Sequence, residues 1–183
     1  MSLSRKAALV GAWEHPARFA PDKTGFQIAA ESIRGALADA GLTIRDVDGL
    51  CMTGFGGGMG IVGFCDYMNL TPTFVDSTSI GGSSFVAHTA HAAAAIAAGL
   101  CNVCVVAFGS TVASGRGGMG GGNDPPDQYE TPFGPTTVGL YAMIAQRHMH
   151  DYGTTPEQLA EVAVTARFHA SMNRRRSIAT RSR

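Results

Sequence analysis

Residues 86–99 read Val-Ala-His-Thr-Ala-His-Ala-Ala-Ala-Ala-Ile-Ala-Ala-Gly, a helix carrying almost nothing but alanine. A helix that is apolar on every side is normally buried in the middle of a domain, so the fold must supply cover around this stretch. The helix is entered from Val75-Asp76-Ser77-Thr78-Ser79-Ile80 through Gly81-Gly82-Ser83-Ser84-Phe85. Glycines at such a junction permit positive φ and close backbone approach, and the free N–H groups of a helix start point at whatever sits above Gly82 and Ser83. The junction predicts an anion- or oxyanion-binding helix terminus at the head of a buried helix.

A chain of 183 residues, 45% hydrophobic and 15% charged, is long enough for one substantial globular core. Its longest apolar run is broken by His88, His91 and glycines, well short of the roughly 20 residues of a membrane span. Arg5-Lys6 precedes Ala7–Trp13, but the apolar part is short and no small-residue cleavage site follows before Glu14 and His15. This segment reads as a first strand, and the protein as cytoplasmic. Cys51, Cys65, Cys101 and Cys104 lie in apolar segments, which suits reduced core thiols better than a disulfide framework. The net charge of zero hides a split: five of the 14 basic residues follow Asn173 with no acid among them. Such a tail can bind nucleic acid or an anionic membrane, but the body before it is acidic, which argues against a nucleic-acid binder.

Taken in order, Phe26, Ala29, Ala30, Ile33, Leu37 and Ala40 recur at helical spacing before the stop at Gly41. Val47–Thr53 is a second strand, Gly54–Gly60 a glycine loop and Ile61–Leu70 a short helix. Thr73–Thr78 and Val103–Phe108 are the third and fourth strands. Strands alternating with helices predict a layered α/β sheet with helices on both faces and parallel pairs joined by right-handed crossovers. Residues 114–134 then form a glycine- and proline-rich loop. Val138–His150 reads as an apolar helix, and Thr155-Pro156-Glu157-Gln158 supplies an N-cap, a first-turn proline and a capping-box glutamine for another.

Two other motifs carry chemistry less well. Gly58-Met59-Gly60-Ile61-Val62-Gly63 fits the glycine spacing of a nucleotide-binding turn, yet it sits in a run of glycines and reads more simply as a loop. His88 and His91 with Cys101 and Cys104 could be assembled into a zinc site, but the two cysteines straddle a strand entry and are not expected to face one another. Core thiols and helix-packing histidines are the simpler reading. Asp76 reads as a strand-end or dimer-contact residue rather than a base.

The succession of Gly25–Gly41, Asp46-Val47-Asp48-Gly49-Leu50, Val75-Asp76-Ser77-Thr78 entering Gly81-Gly82-Ser83-Ser84-Phe85, and Ala95-Ile96-Ala97-Ala98-Gly99 resembles the N-terminal half of a thiolase. More narrowly it resembles the lipid-transfer or sterol-carrier branch of thiolase-like, acetyl-CoA acetyltransferase-like proteins. Tyr152–Ala160 and Arg167-Phe168-His169-Ala170 are similar to that family's loop domain. The resemblance implies a thiolase-like α/β domain at 1–113, a glycine-rich loop and helical loop-domain segment at 114–173, and a basic tail at 174–183 outside the fold.

It also implies acyl transfer or carbon–carbon bond chemistry on acyl-CoA thioesters, with coenzyme A entering as substrate and no tightly bound cofactor. The family's nucleophilic cysteine falls on Gly82, so acyl-cysteine chemistry is not expected here. Gly82, Ser83 and Ser84 are left as the helix terminus that orients or polarises a thioester oxygen, and Phe133 and Gly134 border the coenzyme A channel. Retro-aldol cleavage in this branch needs no acyl-cysteine and in some members involves a partner, here a small OB-fold-type protein. The family's C-terminal half is absent, so the chain is expected to be truncated or frame-shifted after Asn173 and inactive alone. A lone half-fold exposes an apolar face and is expected to form a homodimer or aggregate. The alternative is a non-enzymatic lipid- or acyl-CoA-binding or scaffolding subunit.

Overall fold

The computed structural model describes residues 3–17, 19–53, 60–114 and 137–173. It divides into two compact units, Met1–Gly117 and Gly118–Arg183. In the first, helix α1 (Gly25–Ala40) opens with a capping box in which Gln27 N–H donates to Thr24 Oγ1 and Thr24 N–H to Gln27 Oε1. It ends where Gly41 takes the left-handed conformation, φ 70°. Strand β1 (Gly49–Met52), helix α2 (Gly60–Met68), strand β2 (Phe74–Asp76), helix α3 (Ser84–Ala97) and strand β3 (Cys104–Ala107) follow. The expected alternation is present from the second strand on, with each strand trimmed by one or two residues at each end.

The sheet is parallel in the order β2-β1-β3. Strand β1 is buried at all four positions because it is flanked on both sides. Its alternation divides the unit into layers. Leu50 and Met52 join Ile33 and Leu37 of α1, Phe64 and Cys65 of α2, and Ala107 in one hydrophobic core. Gly49 and Cys51 point to the opposite face, where α3 packs on the sheet. Helices therefore cover both faces, as the sequence predicted.

The strand entries are tied together by one carboxylate. Asp48 accepts from Val103 N–H at 2.7 Å, from Asn102 N–H at 2.8 Å and from Asn102 Nδ2 at 2.9 Å. Its carbonyl takes Thr73 N–H at 2.8 Å, and Thr73 Oγ1 donates to Leu100 O at 2.7 Å. Partial burial pushes the Asp48 carboxyl up, but the bonds from Val103 and Asn102 outweigh it and hold it below the usual aspartate value.

The expected first strand is a correction. Residues 7–15 form no strand and pair with none among the described residues. They lie instead along α1: Ala12 N–H donates to Asp39 Oδ2 at 3.0 Å, Gly11 sits against the Ala36 carbonyl, and the Trp13 ring lies over Gly35. Contacts with the helix, not a ladder, fix the segment. Between it and the edge of β3, unpaired among the described residues, runs a groove of about 550 Å³, floored by Ile28, Ser32, Ile33 and Ala36.

Helix α3 is a second correction, because it is buried on one side only. Ser84, His88, Ala92 and Ala95 face inward, whereas Val86, Thr89, Ala90, His91 and Ala94 are exposed. An alanine face offers a smooth surface for close packing, and among the described residues the sheet alone covers it.

The second unit contributes helices α4 (Thr137–Tyr152) and α5 (Pro156–Met172). Thr155 and Gln158 form the expected capping box with Pro156 in the first turn. Residues 54–59 of the expected glycine loop Gly54–Gly60, residues 115–134 of the expected loop at 114–134 and the tail at 174–183 fall outside the described residues, as does the start of the Gly58–Gly63 motif.

Candidate functional site

Strand β2 delivers the chain to the head of α3. Gly81 has φ +70°, a conformation in which a side chain is strained, so glycine is required there to turn the chain. Gly82 and Ser83 are exposed beside it, and Ser83 occupies the N-cap without a side-chain cap bond. Ser84 is different. It is fully buried, its hydroxyl donates to Gly81 O at 2.7 Å and accepts from Ile80 N–H at 2.9 Å. Those bonds lock the turn. Of the three positions expected at this terminus, Gly82 and Ser83 stand open to solvent, while Ser84 is committed to holding the backbone. Phe133 and Gly134 lie outside the described residues.

A Cβ placed on Gly82 meets nothing within 4 Å, and its φ lies outside the left-handed range. Gly82→Cys is therefore expected to change stability by less than about 1 kcal/mol. It should also label with iodoacetamide faster than the four native cysteines in the folded protein, which alkylation timed by mass spectrometry would check. Labelling no faster than that of Cys65 would mean that the head of α3 is covered.

Beneath the turn, α3 carries a pair that sequence reasoning named singly but did not join. His91 Nδ1–H donates to Asp76 Oδ2 at 2.6 Å, and Thr78 N–H and Oγ1–H donate to Asp76 Oδ1 at 2.9 and 2.8 Å. Burial pushes the Asp76 carboxyl up, but the hydrogen bonds from His91 and Thr78 hold it below the usual aspartate value. His88, fully buried one turn earlier, donates from Nε2 to Thr78 O at 2.9 Å and leaves Nδ1 without a partner. The two histidines thus brace the strand end. Among the described residues no group of three His, Cys, Asp or Glu could hold a metal ion.

A depressed aspartate is worth its full stabilisation above the ordinary value of 3.8 and loses it as pH falls through the folded value. Chemical denaturation midpoints of the wild type and Asp76→Asn should therefore differ at neutral pH and converge in acid. A gap that stays constant with pH would show that the carboxylate form contributes nothing.

The cysteines hold the other surprise. All four are free, as expected for core thiols. Yet Cys101 and Cys104, not expected to face one another, both turn over Gly49, and Cys51 joins them with its Sγ 3.6 Å from that of Cys104. The glycine opposite Cys104 makes this possible.

No protein-family model matches the chain. It is 30% identical over 155 residues to the acetyl-CoA acetyltransferase of Methanothermobacter thermautotrophicus, covering 77% of this chain and 39% of that protein. It is 33% identical over 172 residues to a steroid side-chain-cleaving aldolase of Thermomonospora curvata, covering 82% of this chain and 41% of the relative. The solved structure named Ltp2-ChsH2(DUF35) aldolase superposes with a TM-score of 0.76 at 31% identity, over 92% of this chain and 44% of that one. The chain spans about two fifths of the length of these curated relatives. Over most of the residues present, in both sequence and backbone, this chain is similar to part of the thiolase-like proteins.

Proposed function

We propose that the chain is part of an acyl-CoA protein of lipid metabolism that makes or breaks a carbon–carbon bond in an acyl-CoA thioester, with coenzyme A as part of the substrate. The observation that carries this reading is the open glycine-serine head of α3. Gly82 offers no thiol, and Ser84 is held by Gly81 and Ile80. An acyl-enzyme route through cysteine has no nucleophile at this position, whereas a retro-aldol cleavage needs only a polarised thioester carbonyl and a base for the departing hydroxyl proton. Likeness to a steroid side-chain-cleaving aldolase over 82% of the chain supports the same choice. The exposed Gly82 and Ser83 would then orient the thioester oxygen, and Phe133 and Gly134 would border the coenzyme A channel.

On this reading the chain is inactive by itself, because its aldolase and acetyltransferase relatives are more than twice its matched length. It would act as a homodimer and with a small OB-fold-type partner, by analogy with a neighbour whose name joins two components. Reading the encoding DNA past the Asn173 codon in all three frames, then assaying the longest product with a 3-hydroxyacyl-CoA, tests the proposal. The expected result is a shortened acyl-CoA plus a carbonyl product, with no consumption of free coenzyme A. Saturable acyl-CoA binding without turnover by that product would favour the alternative, a binding or scaffolding subunit that needs no nucleophile.

A further inference from the structure

Three of the four cysteines converge on Gly49. A Cβ built on that glycine would stand 2.9 Å from Cys101 Sγ and 3.0 Å from Cys104 Sγ, so glycine is what lets both sulfurs lie over β1. The Cys101-Asn102-Val103-Cys104 bend between them is fixed by its bonds to Asp48. Both sulfurs are thus held toward one point before any bond joins them.

The sulfurs of Cys51 and Cys104 lie 3.6 Å apart, yet they are not the pair that can join. Register sets Gly49 opposite Cys104 and Cys51 opposite Val106. Cys51 and Cys104 are therefore diagonal neighbours on adjacent parallel strands, with Cα atoms about 8 Å apart. A disulfide spans about 4.4–6.8 Å between Cα atoms, so closing this pair would require the strands to slip. Cys101 and Cys104 are three residues apart across a bend, a spacing that turns bring within about 7 Å. We propose that Cys101 and Cys104 form an oxidisable dithiol that a peroxide closes to a disulfide and a thiol reductant reopens, with Cys51 packed beside it and taking no part.

Cys104 is the half-buried member, whereas Cys51 and Cys101 are buried, so Cys104 meets the oxidant first. Its thiolate attacks hydrogen peroxide to give a sulfenic acid and hydroxide. The Cys101 sulfur then displaces the sulfenic oxygen, which leaves as water. The two thiols give up two electrons and two protons, and the peroxide becomes two waters. At neutral pH the step is slow. Burial, followed by Cys104 and Asp48, pushes the Cys101 thiol up to about 11. The hydrogen bond with Cys51, followed by burial, raises Cys104 as well. Since the thiolate is the nucleophile, the rate climbs with pH.

The test treats the folded full chain with hydrogen peroxide at pH 7 and pH 9, alkylates it, and cuts it before aspartate. The fragment beginning at Asp76 carries Cys101 and Cys104, and the one beginning at Asp48 carries Cys51 and Cys65. The expected result is a loss of about 2 Da confined to the Asp76 fragment, at least about tenfold faster at pH 9 and reversed by dithiothreitol. Cys104→Ser should abolish it, and Cys51→Ala should leave it intact. A cross-link between the two fragments, sulfinic acid without a disulfide, or unmodified Cys101 and Cys104 after prolonged exposure would each overturn the proposal.

Discussion

Gly109→Ala is expected to lower the stability of the Met1–Gly117 unit by about 3 kcal/mol or more. A Cβ at Gly109 would stand 2.1 Å from the Gly25 carbonyl oxygen, 2.7 Å from Ala29 N and 2.8 Å from Ala29 Cβ. Two of these are backbone atoms in the first turns of α1, so no change of rotamer relieves the clash. The helix must move away from the chain leaving β3, and Ala29, itself fully buried, carries that movement into the core. Urea unfolding should show a lower midpoint with an unchanged slope. A midpoint equal to that of the wild type would mean that α1 does not start against Gly109.

Phe64→Ala should cost about 3–5 kcal/mol, the range for emptying a fully enclosed aromatic site. Phe64 has 0% exposure and meets Phe26 edge-on at a centroid distance of 5.2 Å. With Ile61, Cys65 and Met68, it carries α2 into the core formed with α1 and β1. Phe64→Leu keeps most of the apolar volume, so it should lose less than about 1.5 kcal/mol. Equal losses for the two variants would indicate that ring geometry, and not buried volume, holds α2 in place.

Local chemistry made the helices legible. Thr24 with Gln27 and Thr155 with Gln158 announce two helix starts in the sequence, and Gly41 announces a stop, because capping depends on residues a few positions apart. Sheet membership depends on distant partners instead. The apolar run Ala7–Trp13 reads as a strand by composition, yet Asp39, Ala36 and Gly35 of α1 capture it. The all-apolar character of α3 was readable, but which side would be covered was not, since that is set by the placement of β1 and β3. At the candidate site, the turn at Gly81 and the open Gly82 follow from glycine chemistry. The commitment of Ser84 to the backbone is local but depends on the turn's conformation, whereas the union of Asp76 with His91 and the gathering of thiols over Gly49 join residues that only the crossover brings together.

The clasp at Asp48 also bears on how quickly the sheet can assemble. One carboxylate and its own carbonyl gather the entries to β1, β2 and β3, from Thr73 to Val103. Every one of those partners is remote in sequence, and parallel pairing offers no hairpin from which to begin. The loops carrying α2 and α3 must close before any of these bonds can form, so their entropy falls due ahead of the contacts that offset it. Assembly of this domain is thus governed by a search in which the last strand entry to arrive completes the shell of Asp48. Until it does, the face that α3 turns to the sheet remains available to other molecules, and folding competes directly with association.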